Sequence, residues 1–294
     1  AVLMAAKARE ARASAAGPSE AAVTALLEAQ MPDYGSAAEW ATSAGRPELA
    51  VSIATDCLAT AWSTPEPGRW LASLIRSDVS EESWMSDALM VAANHALFYE
   101  ADTPKGVALA QRAIELDPSN SFAHSQACIA SMFAGDRSAV VEQGRLAAGT
   151  ASDTMERLLG LMVLGNAFLF DGHLEEASTV ASELRDLGDS TGHPSAIATA
   201  HHLAGRLLAE TDPDAALPEF QAGLDAVDGL DRFVAEGNLK RELIALLMRS
   251  EPKAAITVAT GCAVTYTPMS WPSFGAGKRL NELGLQAIYS VKPS

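Results

Sequence analysis

The sequence predicts an all-α fold: a right-handed superhelical array of about six antiparallel helix hairpins, or α-solenoid. A tight helix-to-helix turn, residues 172–177 (GHLEEA), has relatives along most of the chain. Its glycine suits a left-handed helix C-cap, and its small last residue lets the next helix pack closely. Taking Ala177 as the reference, the equivalent positions are Ala50, Gly106, Val140, Ala216 and Ala255.

The spacing of these positions supports the repeat. From Gly106 onward, consecutive positions are 34, 37, 39 and 39 residues apart. That is the period of a helix-hairpin repeat. Hydrophobic residues make up 48% of the chain but aromatic residues only 6%, a composition that favours closely packed helices over sheets.

The N-terminal part, residues 1–80, is predicted to be helical but irregular. The Gly-Pro pair at 17–18 ends a first helix because proline cannot continue it. Ser19 is expected to cap the second helix, with Glu20 placing favourable charge in its first turn. Residues 31–33 are expected to stop that helix. The predicted helices are 1–16, 19–30, 34–44, one from Pro47 to a break at Thr64, and an extra helix that carries Trp70.

Residues 81–267 are predicted to form regular hairpins of two antiparallel helices each. Ser119 or Asn120 is expected to cap the helix that follows an Asp-Pro stop. Residues 268–294 depart from the repeat and are predicted to hold a C-terminal capping helix at about 276–290. The predicted helices of the regular part are 81–100, 104–116, 121–134, 137–148, 152–170, 174–187, 194–210, 213–228, 231–249 and 252–265.

The charge balance disfavours two classes of partner. The formal net charge is −16, from 37 acidic and 21 basic side chains, so the chain would be repelled by nucleic acid and by an anionic membrane surface. No apolar run reaches the ~20 residues of a membrane span. Cys57, Cys128 and Cys262 are far apart, which gives neither a disulfide framework nor zinc-ligand spacing. We therefore expect a cytoplasmic location.

Three segments carry a family resemblance: 34–62 (YGSAAEWATSAGRPELAVSIATDCLATAW), 192–227 (GHPSAIATAHHLAGRLLAETDPDAALPEFQAGLDAV) and 232–259 (RFVAEGNLKRELIALLMRSEPKAAITVA). They are similar to the C-terminal tetratricopeptide-like region of large actinobacterial regulators of the LuxR or signal-transduction ATPase type. The resemblance covers roughly residues 34–290. It implies a tetratricopeptide-like solenoid in a transcriptional regulator whose NTPase module and cyclase-like or DNA-binding domain accompany the repeats.

The resemblance carries over no catalytic residue. The 294 residues contain no Gly-rich phosphate loop, no acidic metal site of a cyclase and no basic recognition helix. The segment 272–279 (PSFGAGKR) resembles a phosphate loop only in its Gly-Lys pair, because it lacks the first glycine and the final Ser or Thr. His201 and His202 diverge by about 100° around a helix, so they do not share one metal. We expect no enzyme activity, no cofactor and no metal in this segment.

Polar residues on the first helix of each hairpin are candidates for a peptide-binding groove, because those helices line the concave face of such stacks. Asparagine and arginine side chains there would hold a peptide backbone or a terminal carboxylate. Alternatively, the same side chains are paired locally or solvated, as buried polar groups commonly are. The candidates are Asn94, His95, His124, Gln126, Asn166, His202, Arg206, Asn238 and Arg241.

The sequence leaves two functional hypotheses. The first is recognition of a protein or peptide partner, or of adjacent domains of the same polypeptide, on the concave face. The second is sensing of an apolar small molecule in a pocket among tryptophans of the N-terminal third, although these side chains also suit core filling. The tryptophans concerned are Trp40, Trp62, Trp70 and Trp84.

Overall fold

The computed structural model describes residues 1–61, 64–76, 82, 84–228, 230, 233–250 and 255. Regular structure in these residues is entirely helical, which confirms the predicted all-α fold. The predicted capping helix, and all of 252–265 except Ala255, lie outside the described residues. The helices are α1 (Val2–Ala15), α2 (Glu20–Ala29), α3 (Met31–Ser43), α4 (Pro47–Thr60), α5 (Glu66–Arg76), α6 (Met85–Phe98), α7 (Thr103–Leu116), α8 (Ser121–Ala134), α9 (Arg137–Gly149), α10 (Thr154–Asp171), α11 (Leu174–Thr191), α12 (Pro194–Leu208), α13 (Pro213–Ala226) and α14 (Phe233–Ser250).

Local signals set most helix ends. Gly172 follows α10 with a φ of 84°, in the left-handed region that glycine adopts without steric cost. Asn120 caps α8, since its side chain accepts a hydrogen bond of 3.0 Å from the backbone N–H of Ala123. Asp136 and Asp212 cap α9 and α13 in the same way. The repeated turn therefore supplies both a helix stop and a helix start.

Two expectations near the N-terminus are wrong. Helix α2 does end before 31–33, but the third helix begins at Met31 rather than Tyr34, because Pro32 lies in its first turn, where a missing amide proton costs no intrahelical hydrogen bond. Ser19 makes no side-chain capping bond to α2. Glu20 does begin α2, but its carboxylate binds the start of α12. Tertiary contacts thus replace local capping in this part of the chain.

The regular helices pack in two layers. The inner layer consists of α6, α8, α10, α12 and α14, and each of these helices contacts the next member of the layer. Helix α4 also contacts α6, although Ala50 aligns it with the outer helices of the repeat, because the extra helix α5 shifts the alternation of the two layers. The outer helices α7, α9, α11 and α13 pack mainly on their two chain neighbours. Because the more closely spaced layer of a curved stack lies on its inside, these contacts are those expected if the inner layer lines the predicted concave face.

Equivalent hydrogen bonds repeat along the stack. Ser86, at the start of α6, donates to the carbonyl oxygen of Ala113 in α7 at 2.9 Å. Ser121, at the start of α8, donates to the carbonyl oxygen of Ala147 in α9 at 2.8 Å. Where α9 meets α10, a Cβ added to Gly160 would lie 2.8 Å from the Ala147 carbonyl oxygen, so glycine is needed for this approach.

The N-terminal helix pair, α1 and α2, meets the N-terminal ends of α8, α10 and α12. Helix α1 packs against α4 and also contacts α10, while α2 contacts α4. The buried residues of α1 are the small side chains Ala5, Ala8 and Ala15, which join the same apolar core as Phe122 of α8 and Met155 of α10. Units far apart in sequence are therefore joined through this pair.

Candidate functional site

The nine predicted polar residues all lie on inner-layer helices, but they do not form one site. Asn94 and His95 belong to α6, His124 and Gln126 to α8, and Asn166 to α10. The remaining four belong to α12 and α14: His202, Arg206, Asn238 and Arg241.

Two of the nine are paired locally. His124 is 2% exposed, and its ring nitrogens lie 2.8 Å from Gln143 Oε1 and 2.9 Å from the carbonyl oxygen of Pro118. The Asn166 amide nitrogen donates to the carbonyl oxygen of Met162, one turn earlier, at 2.8 Å. Both fit the alternative that these side chains are satisfied within the fold.

Two more, Asn94 and Gln126, are enclosed: they are 1% and 0% exposed, and their amide nitrogens find no hydrogen-bond partner among the described residues. Side chains enclosed in this way do not form an open groove surface. His95 is only partly buried. It lies against Gly68 of α5 and stacks on Tyr99 with ring centroids 5.4 Å apart, and burial lowers its pKa.

The structure does bring His202, Arg206 and Arg241 together around Glu242, a residue absent from the sequence-based candidates. Glu242 accepts from Arg206 at 2.9 Å and from Arg241 at 3.2 Å. Burial raises the pKa of Glu242, but Arg206, His202 and Arg241 outweigh it, so the pKa is lowered overall. Burial lowers the pKa of His202 to about 4, so its imidazole is neutral at pH 7. Asn238 lies half-buried on the same helix, α14.

A second charged cluster forms around Arg12 of α1. Its guanidinium donates to Asp56 of α4 at 3.3 Å, to Asp153 at 2.6 Å and to Glu156 of α10 at 2.8 Å. The guanidinium also lies 4.9 Å from the ring centroid of Phe122, the distance of a cation–π contact. The side chain of Arg12 is only 14% exposed. One side chain of the N-terminal helix pair therefore joins α4, α8 and α10.

The carboxylates around Arg12 outnumber it. We define the acidic site as Asp56, Asp87, Asp153 and Glu156, which come from α4, α6 and the start of α10. Asp87 accepts from the Asn120 amide at 2.9 Å. Burial raises the pKa of both Asp56 and Asp87 despite the attraction of Arg12.

Glu20 makes a second contact of the pair with the inner layer. It is 2% exposed and accepts from the backbone N–H of Ser195 at 3.0 Å and from its hydroxyl at 2.6 Å. His193 Nδ1 lies 3.6 Å away. Because Ser195 is in the first turn of α12, the carboxylate is also stabilised by the positive end of the helix dipole.

Arg12 and Glu20 were not among the site residues predicted from the sequence. A signal did exist for Arg12, because the positions three and four residues away on both sides are occupied by Arg9, Ala8, Ala15 and Ala16. No carboxylate on its own helix stands at pairing distance. A buried arginine without a local acid needs a partner elsewhere in the fold.

The tryptophans give no support to the apolar-pocket hypothesis. Trp40 is 59% exposed on α3, Trp70 packs beside Gly35, and Trp84 lies at the N-cap of α6. Trp62 lies outside the described residues. A hollow of about 310 Å³ does lie in this third of the chain, between α1, α2 and α3, and no tryptophan is among its described lining residues. They are Lys7, Glu10, Ala11, Ser14, Val23, Leu26, Leu27, Gln30 and Tyr34.

Other site chemistries find little support in the described part of the chain. It contains no group of three or more His, Cys, Asp or Glu side chains that could hold a metal ion. No helix among the described residues is long and apolar enough to cross a membrane. Cys57 and Cys128 are free and buried, and burial raises the pKa of both thiols. Cys262 and the segment 272–279 lie outside the described residues.

In comparisons with known proteins, no family model and no curated protein matched the chain. The similarity to tetratricopeptide-like regulators therefore stays a prediction from the sequence.

Proposed function

We propose that this chain is a protein- or peptide-binding segment of a bacterial cytosolic signalling or transcriptional regulator, and that its concave face binds an α-helix bearing an arginine. The observation that carries the proposal is the helix already bound there: α1 of the same chain, with Arg12 held by Asp56, Asp153 and Glu156. In this role the segment recognises a partner and catalyses no reaction.

The chemistry of the acidic site favours arginine in the ligand. A planar guanidinium donates in several directions at once, whereas a lysine ammonium is a compact and more strongly hydrated charge. Carboxylates from α4 and α10 surround the guanidinium, and the ring of Phe122 lies beside it. Such an arrangement selects a cation that is both planar and multiply donating.

The apolar contact of α1 defines the rest of the ligand. Its buried residues lie seven and four positions before Arg12 and three positions after it, and all are alanine. Small side chains at these positions let two helix backbones approach closely. The expected partner is therefore an alanine-rich helix, in another protein or in an adjacent domain of the same polypeptide.

The family resemblance and the net charge support the same interpretation. Tetratricopeptide-like solenoids resembling this chain accompany other domains in large regulators, which makes recognition of a partner domain a natural role. The net charge of −16 favours a ligand with positive charge and disfavours nucleic acid.

The test is selection of helical peptides from a displayed library of 20-residue sequences, using the full chain as the target. We expect enriched peptides to share an arginine with small residues at the α1 spacing. Glu156→Gln, made in a target that also carries Arg12→Gln so that the chain's own α1 no longer uses this carboxylate, should weaken their binding about tenfold or more, since a charge-assisted hydrogen bond is lost.

The matched control is Glu142→Gln, which makes the same charge change at an exposed position of the outer helix α9. It should leave binding unchanged. Enriched peptides without a shared arginine, or peptides equally affected by both substitutions, would contradict the proposed recognition.

A further inference from the structure

We infer that the N-terminal helix pair is an exchangeable occupant of the concave face, which an arginine-bearing helix presented in trans displaces. This inference rests on the proposed function and adds its regulation: the binding surface is covered by the chain itself until a competing helix replaces α1. Three features of the described residues support it.

The first feature is that the pair depends on docking for its own helical structure. Neither α1 nor α2 has a side-chain capping hydrogen bond, a lack that α3, α4, α6 and α11 share. Helices of 14 and 10 residues are marginal in isolation, so both depend on the surface that they contact. The pair thus resembles a bound peptide that is ordered by the surface it contacts.

The second feature is that Arg12 fits the acidic site incompletely. Its Nε is buried and has no hydrogen-bond partner in the described part of the chain. Burial keeps the pKa of Asp56 and Asp87 raised, so one guanidinium does not compensate all the carboxylates. A helix that offers more positive charge, or satisfies every donor, would compete with α1 for the same place.

The third feature is that the pair is held at two separate places. Arg12 binds the acidic site, and Glu20, eight residues later, binds Ser195 at the start of α12. Between them, Pro18 touches the turn before α12, where a Cβ added to Gly192 would lie 3.2 Å from Pro18 Cβ. Displacement requires release of both contacts, and a covalent link at this turn would prevent it.

That link is the basis of the test. Pro18→Cys with Gly192→Cys, made in a Cys262→Ser background, places two cysteine Cβ atoms 3.2 Å apart. A small outward shift brings them to the about 3.5–4.5 Å of a disulfide. The probe is a fluorescein-labelled peptide with the sequence of residues 1–30, titrated into the full chain and followed by fluorescence anisotropy. We expect the oxidised chain to bind the peptide at least about tenfold more weakly than the reduced chain, because the open fraction sets the apparent affinity.

A second variant opens the surface instead. Arg12→Gln in the full chain should increase its affinity for the wild-type peptide about tenfold, because its own α1 then competes less well. A peptide carrying the same Arg12→Gln change should bind the reduced chain more weakly. The single variants Pro18→Cys and Gly192→Cys control for strain, since Gly192 has a φ of +69° that a side chain disfavours.

The outcomes separate the two proposals. Equal peptide binding by the oxidised and reduced chains would overturn the exchange of the N-terminal helix pair but leave helix recognition standing. If the Arg12→Gln chain also failed to bind the wild-type peptide, while its far-ultraviolet circular dichroism stayed native, both the exchange and the proposed function would be overturned.

Discussion

Replacing Arg12 with methionine tests the central contact of the N-terminal helix pair. Methionine keeps an unbranched stem that can stay beside Phe122, but it removes all three ion pairs. Asp56 and Glu156, whose side chains are 8% and 15% exposed, then lose their shared cation. The result depends on whether these contacts stabilise the fold more than burial of the guanidinium costs.

The magnitude follows from the exposure of each group. Charge-assisted hydrogen bonds to Asp56 and Glu156 contribute about 2–2.5 kcal/mol each, whereas the bond to the half-exposed Asp153 adds about 0.5 kcal/mol. Methionine has no buried, unpaired Nε, and removing that group stabilises the folded state by about 2 kcal/mol. We therefore expect Arg12→Met to lower the free energy of unfolding by about 3 kcal/mol.

The assay is urea unfolding followed by far-ultraviolet circular dichroism, with Arg9→Met as the matched control. Arg9 is exposed on the same helix, so its loss should cost less than about 0.5 kcal/mol. Because helical arrays need not unfold in one step, amide hydrogen exchange of α1 provides a second readout. Equal effects of the two substitutions, in both measurements, would refute the structural role given to Arg12.

Three further predictions concern charge and packing. Asp56→Asn should raise the melting temperature at pH 7 but not near pH 4. Burial raises the pKa of Asp56 in the folded state, so the stability that the protonated side chain provides is lost as the pH rises through that pKa. Asparagine stays neutral and avoids this loss. Glu242→Gln should lower the melting temperature at pH 7, and the difference from the unsubstituted chain should shrink as the pH falls through the lowered pKa of Glu242. For either variant, a difference in melting temperature that does not change with pH would contradict the prediction. Gly160→Ala should cost about 1–3 kcal/mol in urea unfolding because its Cβ would meet the backbone of α9. Gly149→Ala, at a position where a Cβ would meet nothing within 4 Å, should raise the free energy of unfolding by about 0.5 kcal/mol. Similar effects of the two glycine substitutions would contradict the close packing of α9 on α10.

Most helices could be predicted from the sequence because their ends are determined by nearby residues. Gly172, Asn120 and the aspartate caps act within four residues of themselves, and a repeat of such turns specifies a stack of hairpins. The prediction at Ser19 was wrong for the complementary reason. There the Ser19 side chain makes no capping bond, and the carboxylate of Glu20 binds the start of α12, 175 residues away in the chain.

The surroundings of the candidate residues could not be predicted, because they depend on contacts between residues far apart in the sequence. All nine candidates lie on the helices predicted for them, and two of them, Arg206 and Arg241, bind Glu242, which was not predicted. Periodicity cannot show whether a polar side chain on a concave face is open or enclosed, as Asn94 and Gln126 are. Nor does it show that α1 binds the start of α10, because the contact of Arg12 with Glu156 spans 144 residues.

The contact between Glu20 and Ser195 also affects how the chain is made. An ordinary solenoid adds each hairpin to its neighbour as that hairpin leaves the ribosome, so no segment waits long for its partner. Here α2 is synthesised 175 residues before the serine that it binds. At 5–20 residues per second, this interval is on the order of ten seconds or more. During translation the N-terminal helix pair is therefore present before the surface that it contacts, and the contact of α1 with α10 forms before that of α2 with α12.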